Sequence, residues 1–168
     1  MTFHKLYNNA LTGLWFIPVL CVLIGIGISF ATIAVDRSQD YHLIPRGLVG
    51  GPDAATAILQ TTAASMVSLT ALVLTVTMVV VQLSMGQFSP RIVQRILQDK
   101  PSQLAIGLFV ATFVHAILAV REVTPDDAGQ ENGTVPGVAV VTAFLLVLTS
   151  VAVLVMYVHH VGQALRVA

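Results

Sequence analysis

Charged side chains are scarce in this 168-residue chain: Asp, Glu, Lys and Arg make up 10% of it, against roughly 25% in a soluble domain. Eight cations meet eight acids, so the formal charge is zero. There is thus no net basic field of the kind that binds nucleic acid. The one cysteine, Cys21, sits inside an apolar run, which excludes a disulfide framework and a cysteine-based metal site. A Ser-His-Asp order, an HExxH pair, a glycine-rich phosphate loop followed by Lys and paired carboxylates inside an apolar segment are all missing. The chain is therefore read as not an enzyme. What remains is apolar: 56% of the residues are hydrophobic and the mean hydropathy is +0.87. That composition excludes a disordered tail and indicates an integral membrane protein.

A helix crosses the hydrocarbon core with about 20 apolar residues. Four segments meet that length, at about 14–35, 61–83, 103–120 and 136–158, and none contains Asp, Glu, Lys or Arg. The first apolar run is longer than the 7–15 residues or so of a signal-peptide core, so it reads as a retained span. The expected fold is all-α: a four-helix membrane bundle forming a single transmembrane domain over 1–168. Lys5, Arg91, Arg95, Lys100 and Arg166 fall on one side of the membrane with Asp99. Arg37, Arg46 and Arg121 fall on the other with Asp36, Asp40, Asp53, Glu122, Asp126, Asp127 and Glu131. The positive-inside rule then places both termini in the cytoplasm, with Tyr7, Trp15, Phe88 and Tyr157 in an aromatic belt at that interface.

The first connection at the acidic end, 36–52, is rich in Gly and Pro and reads as a loop. Asp53 is a candidate N-cap for a second helix running to Met85, about 48 Å long and longer than the bilayer requires. The other acidic connection contains the sequon Asn132-Gly133-Thr134, which matters only in a secretory pathway. Between spans two and three, Ser89-Pro90 precedes RIVQRILQDK. At 100° per residue Ile92, Val93, Ile96 and Leu97 share an arc of about 140°. A short amphipathic interfacial helix over about 90–100 follows, with Arg91 and Arg95 set for lipid phosphates.

Polar residues inside the spans are the candidate site residues. In span two Thr61, Ser65, Ser68, Thr75 and Gln82 fall within an arc of about 100°, with Thr70, Thr77 and Ser84 nearly opposite. Two such stripes suggest a helix packed on both sides, either as interhelical glue or as the wall of a polar path. Gly25 and Ser29 in span one, and Gly107 and Ala111 in span three, are small residues four apart that permit close helix packing. His115 is the ionisable side chain nearest mid-membrane besides Cys21. Its readings are a hydrogen bond to a Ser or Thr of span two, a proton or ion pathway, and, least favoured, a haem or pigment ligand. His159 and His160 point about 100° apart and do not make a natural chelate. Asp36 and Arg121 are expected to pair across helices at the acidic end. No metal or cofactor is predicted beyond bound lipid.

Read in order, the segments LWFIPVL, TTAASMVSLTALVLTVTMVVVQLSMGQFSPRIVQRILQD, GLFVATFVHAILAVR and VPGVAVVTAFLLVLTSVAVLVMYVHHVGQALRV resemble the bacterial predicted membrane proteins grouped as domain of unknown function 2254. QLSMGQFSPR, from Gln82 to Arg91, is the most specific piece. The resemblance implies a multi-pass protein of the bacterial inner membrane, and members that continue past the fourth span into a cytoplasmic part; it brings no catalytic residues. The expected function is a non-catalytic accessory or scaffold subunit packed against a larger membrane complex. The alternative is a homo-oligomeric channel or transport component with a polar path along span two. Partners are membrane lipids and other membrane subunits or further copies of the chain, not nucleic acid.

Overall fold

The computed structural model describes residues 16–41, 44–45, 49–85, 100–126 and 133–166. Among them are four helices and no strand: α1 (Phe16–Ser38), α2 (Pro52–Met85), α3 (Lys100–Val120) and α4 (Gly137–Arg166). All four are long and apolar enough to cross a membrane. The amphipathic segment of 90–100, with Arg91 and Arg95, and the belt residues Tyr7, Trp15 and Phe88, lie outside the described residues, apart from Lys100 at the start of α3.

Each helix begins and ends where local chemistry dictates. Pro52 occupies the first position of α2, where its missing N–H costs nothing. Asp53 consequently lies within the first turn rather than at the cap. The 34 residues of α2 span about 51 Å, more than a bilayer needs. α1 ends in a reversal in which Tyr41 N–H donates to the Asp36 carbonyl at 3.0 Å. Asp40 (φ 47°) and Tyr41 (φ 59°) both adopt the left-handed region there, a conformation that costs a side-chain-bearing residue roughly 1–2 kcal/mol.

α3 is the central helix: 44% of its span is buried, against 11–22% for the others. It packs on α1, α2 and α4. The two stripes of α2 suggested a helix packed on both sides; within one copy only the Thr70 and Thr77 side of α2 turns inward. Residue numbers rise together along the α1–α3 contact, from Cys21 beside Gly107 to Gly25 beside Ala111, so those two helices run parallel.

α1 buries only Gly25, Ser29 and Asp36. Its large side chains, among them Leu23, Ile24 and Phe30, face outward. That is how a helix associates in lipid, where apolar bulk gains nothing by leaving the hydrocarbon and close backbone approach does the work. The core toward the Ser38 end is built from small residues, including Ala55, Ala63, Ala116, Ala139 and Ala143 around Leu59. Toward the other end Met66, Val73, Phe109 and Tyr157 fill it. Tyr157 is therefore a core residue, not part of an interfacial belt. Its hydroxyl lies 2.8 Å from Thr77 Oγ1, whose own proton goes to the Val73 carbonyl at 2.7 Å, and this ties α4 to α2.

Candidate functional site: a polar junction at the acidic end

The first turn of a helix leaves N–H groups without intrahelical acceptors, and a polar side chain at the N-cap ordinarily accepts from the second or third residue. In α4 the preceding residue is Pro136, which has no such side chain. The acceptor comes instead from α1. Asp36 Oδ1 takes the Val138 N–H at 2.9 Å and Oδ2 takes the Ala139 N–H at 3.0 Å. Asp36 is 1% exposed, so this carboxylate, 102 residues away in sequence, is sealed against the positive end of the α4 dipole.

Ala139 is gripped from both sides. Its carbonyl lies 3.0 Å from His115 Nε2, and since a carbonyl can only accept, the imidazole donates from that nitrogen. His115 is fully buried. The partner is thus a backbone carbonyl of α4, not a hydroxyl of span two, a correction that follows from α3 facing α4 at this height. His115 Nδ1 is buried and has no hydrogen-bond partner among the described residues, and the same holds for Ser29 Oγ. The 86-residue offset that matches Cys21 with Gly107 and Gly25 with Ala111 also carries Ser29 to His115.

The expected Asp36–Arg121 pair does not form. The acidic-end ion pair joins the other members of the two dipeptides. Arg37 Nε and Nη2 lie 2.6 and 2.8 Å from the two Glu122 oxygens, and the Tyr41 hydroxyl donates to Glu122 Oε1 at 2.7 Å. Successive helical residues point about 100° apart; with Asp36 turned in to cap α4, Arg37 is left on the side facing Glu122. The Arg37 guanidinium holds the Glu122 carboxyl below its ordinary value; burial opposes it less strongly, and the Tyr41 hydroxyl and the Arg121 charge add smaller lowering effects. Arg121 is exposed and makes no ion pair among the described residues. A crevice of about 430 Å³ opens beside this cluster, lined by Phe30, Ile33, Ala34, Arg37, Leu118, Arg121 and Glu122.

The α3–α4 connection is pinned to the same end. Thr124 and Thr134 exchange bonds through backbone and hydroxyls, and Gly133 N–H donates to Asp126 Oδ1 at 2.7 Å. A Cβ on Gly133 would lie 2.6 Å from that oxygen and 2.7 Å from Pro52, so the packing of loop against α2 requires glycine. Asn132 of the sequon lies outside the described residues.

The remaining candidates are distributed as follows. A Cβ on Gly25 would stand 2.8 Å from that of Ala111, and one on Gly107 would stand 2.9 Å from that of Cys21. The span-two stripe of Thr61, Ser65, Ser68, Thr75 and Gln82 is wholly exposed. Its hydroxyls at Ser65, Ser68 and Thr75 donate back to carbonyls of their own helix. Within one copy this stripe lines no internal path. His159 bonds Gln163 at 3.0 Å, and both border a second crevice of about 510 Å³ at the opposite end. Among the described residues no group of three His, Cys, Asp or Glu is placed to hold a metal. The arrangement clamps three helices, with Asp36 of α1 and His115 of α3 both bonded to the first turn of α4. Sequence reasoning missed Ala139, Glu122 and Tyr41. Pro136 was the one signal available, since a helix start without a cap side chain needs an acceptor from elsewhere.

Residues 12–168 match the family described as predicted membrane protein (DUF2254). The chain belongs to that family. Within curated sequences, this DUF2254 chain is 27% identical over 156 residues to an uncharacterized protein of Mycobacterium bovis and to two of Mycobacterium tuberculosis. The similarity covers 92% of this chain but 29% of each relative, so the chain spans less than a third of their length. No solved structure matches it.

Proposed function

We propose that this multi-pass chain is a non-catalytic scaffold of the bacterial cytoplasmic membrane, and that α2 is the helix through which it packs against other membrane subunits. One observation carries the reading: the outward side of α2 exposes bulky residues such as Val67, Leu74 and Met78, but one stripe along it is small and polar. Ala57, Thr61, Ala64, Ser68, Ala71 and Thr75, with Gln82 further along, are all exposed. They recur at alternating spacings of four and three. That is the seam of a left-handed helix pair, and its small side chains permit close backbone approach. Hydroxyls satisfied by their own carbonyls tolerate lipid, yet they supply additional interhelical bonds once a partner arrives. The charge asymmetry between the two ends supports both termini in the cytoplasm. No resident cofactor or metal enters the proposal.

Ser68→Cys and Thr75→Cys, each in a Cys21→Ser background, test it in native membranes. Cross-linking at these positions to foreign subunits, with co-purification in fixed stoichiometry in mild detergent, is the expected result. A particle containing one copy of this chain and no cross-link would sink the scaffold reading. A closed ring of identical chains, with Thr75→Cys open to water-soluble thiol reagents, would replace it with an oligomeric channel lined by the same stripe.

A further inference from the structure

The crevice between α1 and α3 at the acidic end has the layout of an amphiphile. Its floor is apolar: Phe30, Ile33 and Ala34, at the i, i+3, i+4 spacing of one helix face, oppose Leu118. Phe30 lies seven residues before Arg37, so at 1.5 Å per residue the floor reaches about 10 Å from the mouth toward the membrane interior. Polar groups line only the mouth, and they are Arg37, Arg121 and Glu122.

The charges at that mouth do not cancel. Both Glu122 oxygens are engaged by Arg37, and one also by the Tyr41 hydroxyl. Arg121, exposed on the same rim, makes no ion pair among the described residues. Two guanidiniums and one carboxylate leave one uncompensated cation at the head of an apolar slot. A guanidinium fork matches phosphate oxygens two at a time.

We infer that this crevice is a binding site for one anionic phospholipid of the leaflet at the acidic end, its phosphate on Arg121 and an acyl chain along Phe30, Ile33, Ala34 and Leu118. A zwitterionic lipid of the same chains fits less well, because its own cation is repelled by the Arg37–Arg121 pair. Arg37 serves as a positioning residue: held by Glu122, it fixes the rim on which Arg121 stands.

The test is native mass spectrometry of the full chain in a mild non-ionic detergent, titrated with phosphatidylglycerol and with phosphatidylcholine of identical chains. One phosphatidylglycerol should be retained per chain, with a preference of about tenfold, a factor within reach of one charge-assisted contact. Arg121→Gln should abolish the preference and Arg121→Lys should restore part of it. Arg166→Gln, which removes one cation at the opposite end, should leave it unchanged. Ala34→Trp is at an exposed position and fills the slot without touching charge; it should lower retention of both lipids. Equal retention of the two lipids by the unaltered chain would overturn the inference. So would full retention in Ala34→Trp, which would reduce Arg121 to a surface charge, or a protein subunit found seated on this rim in place of lipid.

Discussion

Removing the Asp36 carboxylate is the most informative single perturbation of this fold, because it serves a helix it does not belong to. Two charge-assisted hydrogen bonds, at 2.9 and 3.0 Å, contribute about 1.5–3 kcal/mol each. Asp36→Ala therefore has a ceiling of about 6 kcal/mol. Val138 is only half-buried, so water can reach its freed N–H, and a loss near 3 kcal/mol is the expected outcome. Asp36→Asn keeps the shape and one acceptor but turns an NH2 toward the other N–H; it should cost about half as much. Reversible unfolding in mixed detergent micelles measures these differences. Amide hydrogen exchange locates them: protection should fall at Val138 and Ala139 and persist at Val147, deeper in α4. Pro136→Ser, added to Asp36→Ala, supplies a cap from within the chain and should return about 1 kcal/mol. If Asp36→Asn unfolded within about 0.5 kcal/mol of the parent, the size of change typical of a surface substitution, or if exchange at Val138 and Ala139 did not change, the capping account would be wrong.

Gly25 and Gly27 make a paired test of close approach. A Cβ at Gly25 meets Ala111 backbone atoms at 3.1 Å, whereas one at Gly27 meets nothing within 4 Å. Gly25→Ala should loosen α1 from α3 by about 1–3 kcal/mol, while Gly27→Ala should be neutral or stabilising by up to about 1 kcal/mol, as read by micelle unfolding. Tyr157→Phe removes a hydroxyl but leaves Thr77 bonded to Val73, so a loss of about 0.5–1.5 kcal/mol is expected; a larger one would mean the core repacks. Glu122 has its folded pKa lowered, with Arg37 the main cause. Its stabilising contribution is therefore complete above the unfolded value of about 4.3 and disappears as pH falls through the lower folded value. The difference in melting temperature between the parent and Glu122→Gln should be constant at neutral pH and vanish in that acid window; a difference that grew on acidification would contradict the pairing.

The four apolar helices among the described residues, and their approximate positions, followed from hydropathy alone, because a helix in lipid must satisfy its own backbone and needs a minimum apolar length. Gly25, Ser29, Gly107 and Ala111 also stood out, since small residues four apart mark one face of a helix whatever it packs on. The pairings did not follow. Asp36-Arg37 and Arg121-Glu122 each offer two charges about 100° apart, and nothing local says which of them faces the neighbouring helix. The His115 partner was illegible for a different reason: it is a backbone carbonyl, which leaves no mark in the residue pattern. Tyr157 looked interfacial because its distance from the span end suits a belt residue, but packing drew it inward to Thr77.

Composition and periodicity by themselves determined that this chain carries four helices long and apolar enough to cross a membrane. They did so because spanning length and the cost of charge in hydrocarbon act on each segment independently. Only the tertiary structure decided that α3 is central, that the small polar face of α2 looks outward, and that Asp36 caps α4. Those depend on how each helix is rotated about its axis against its neighbours, and that rotation is set by contacts among all of them.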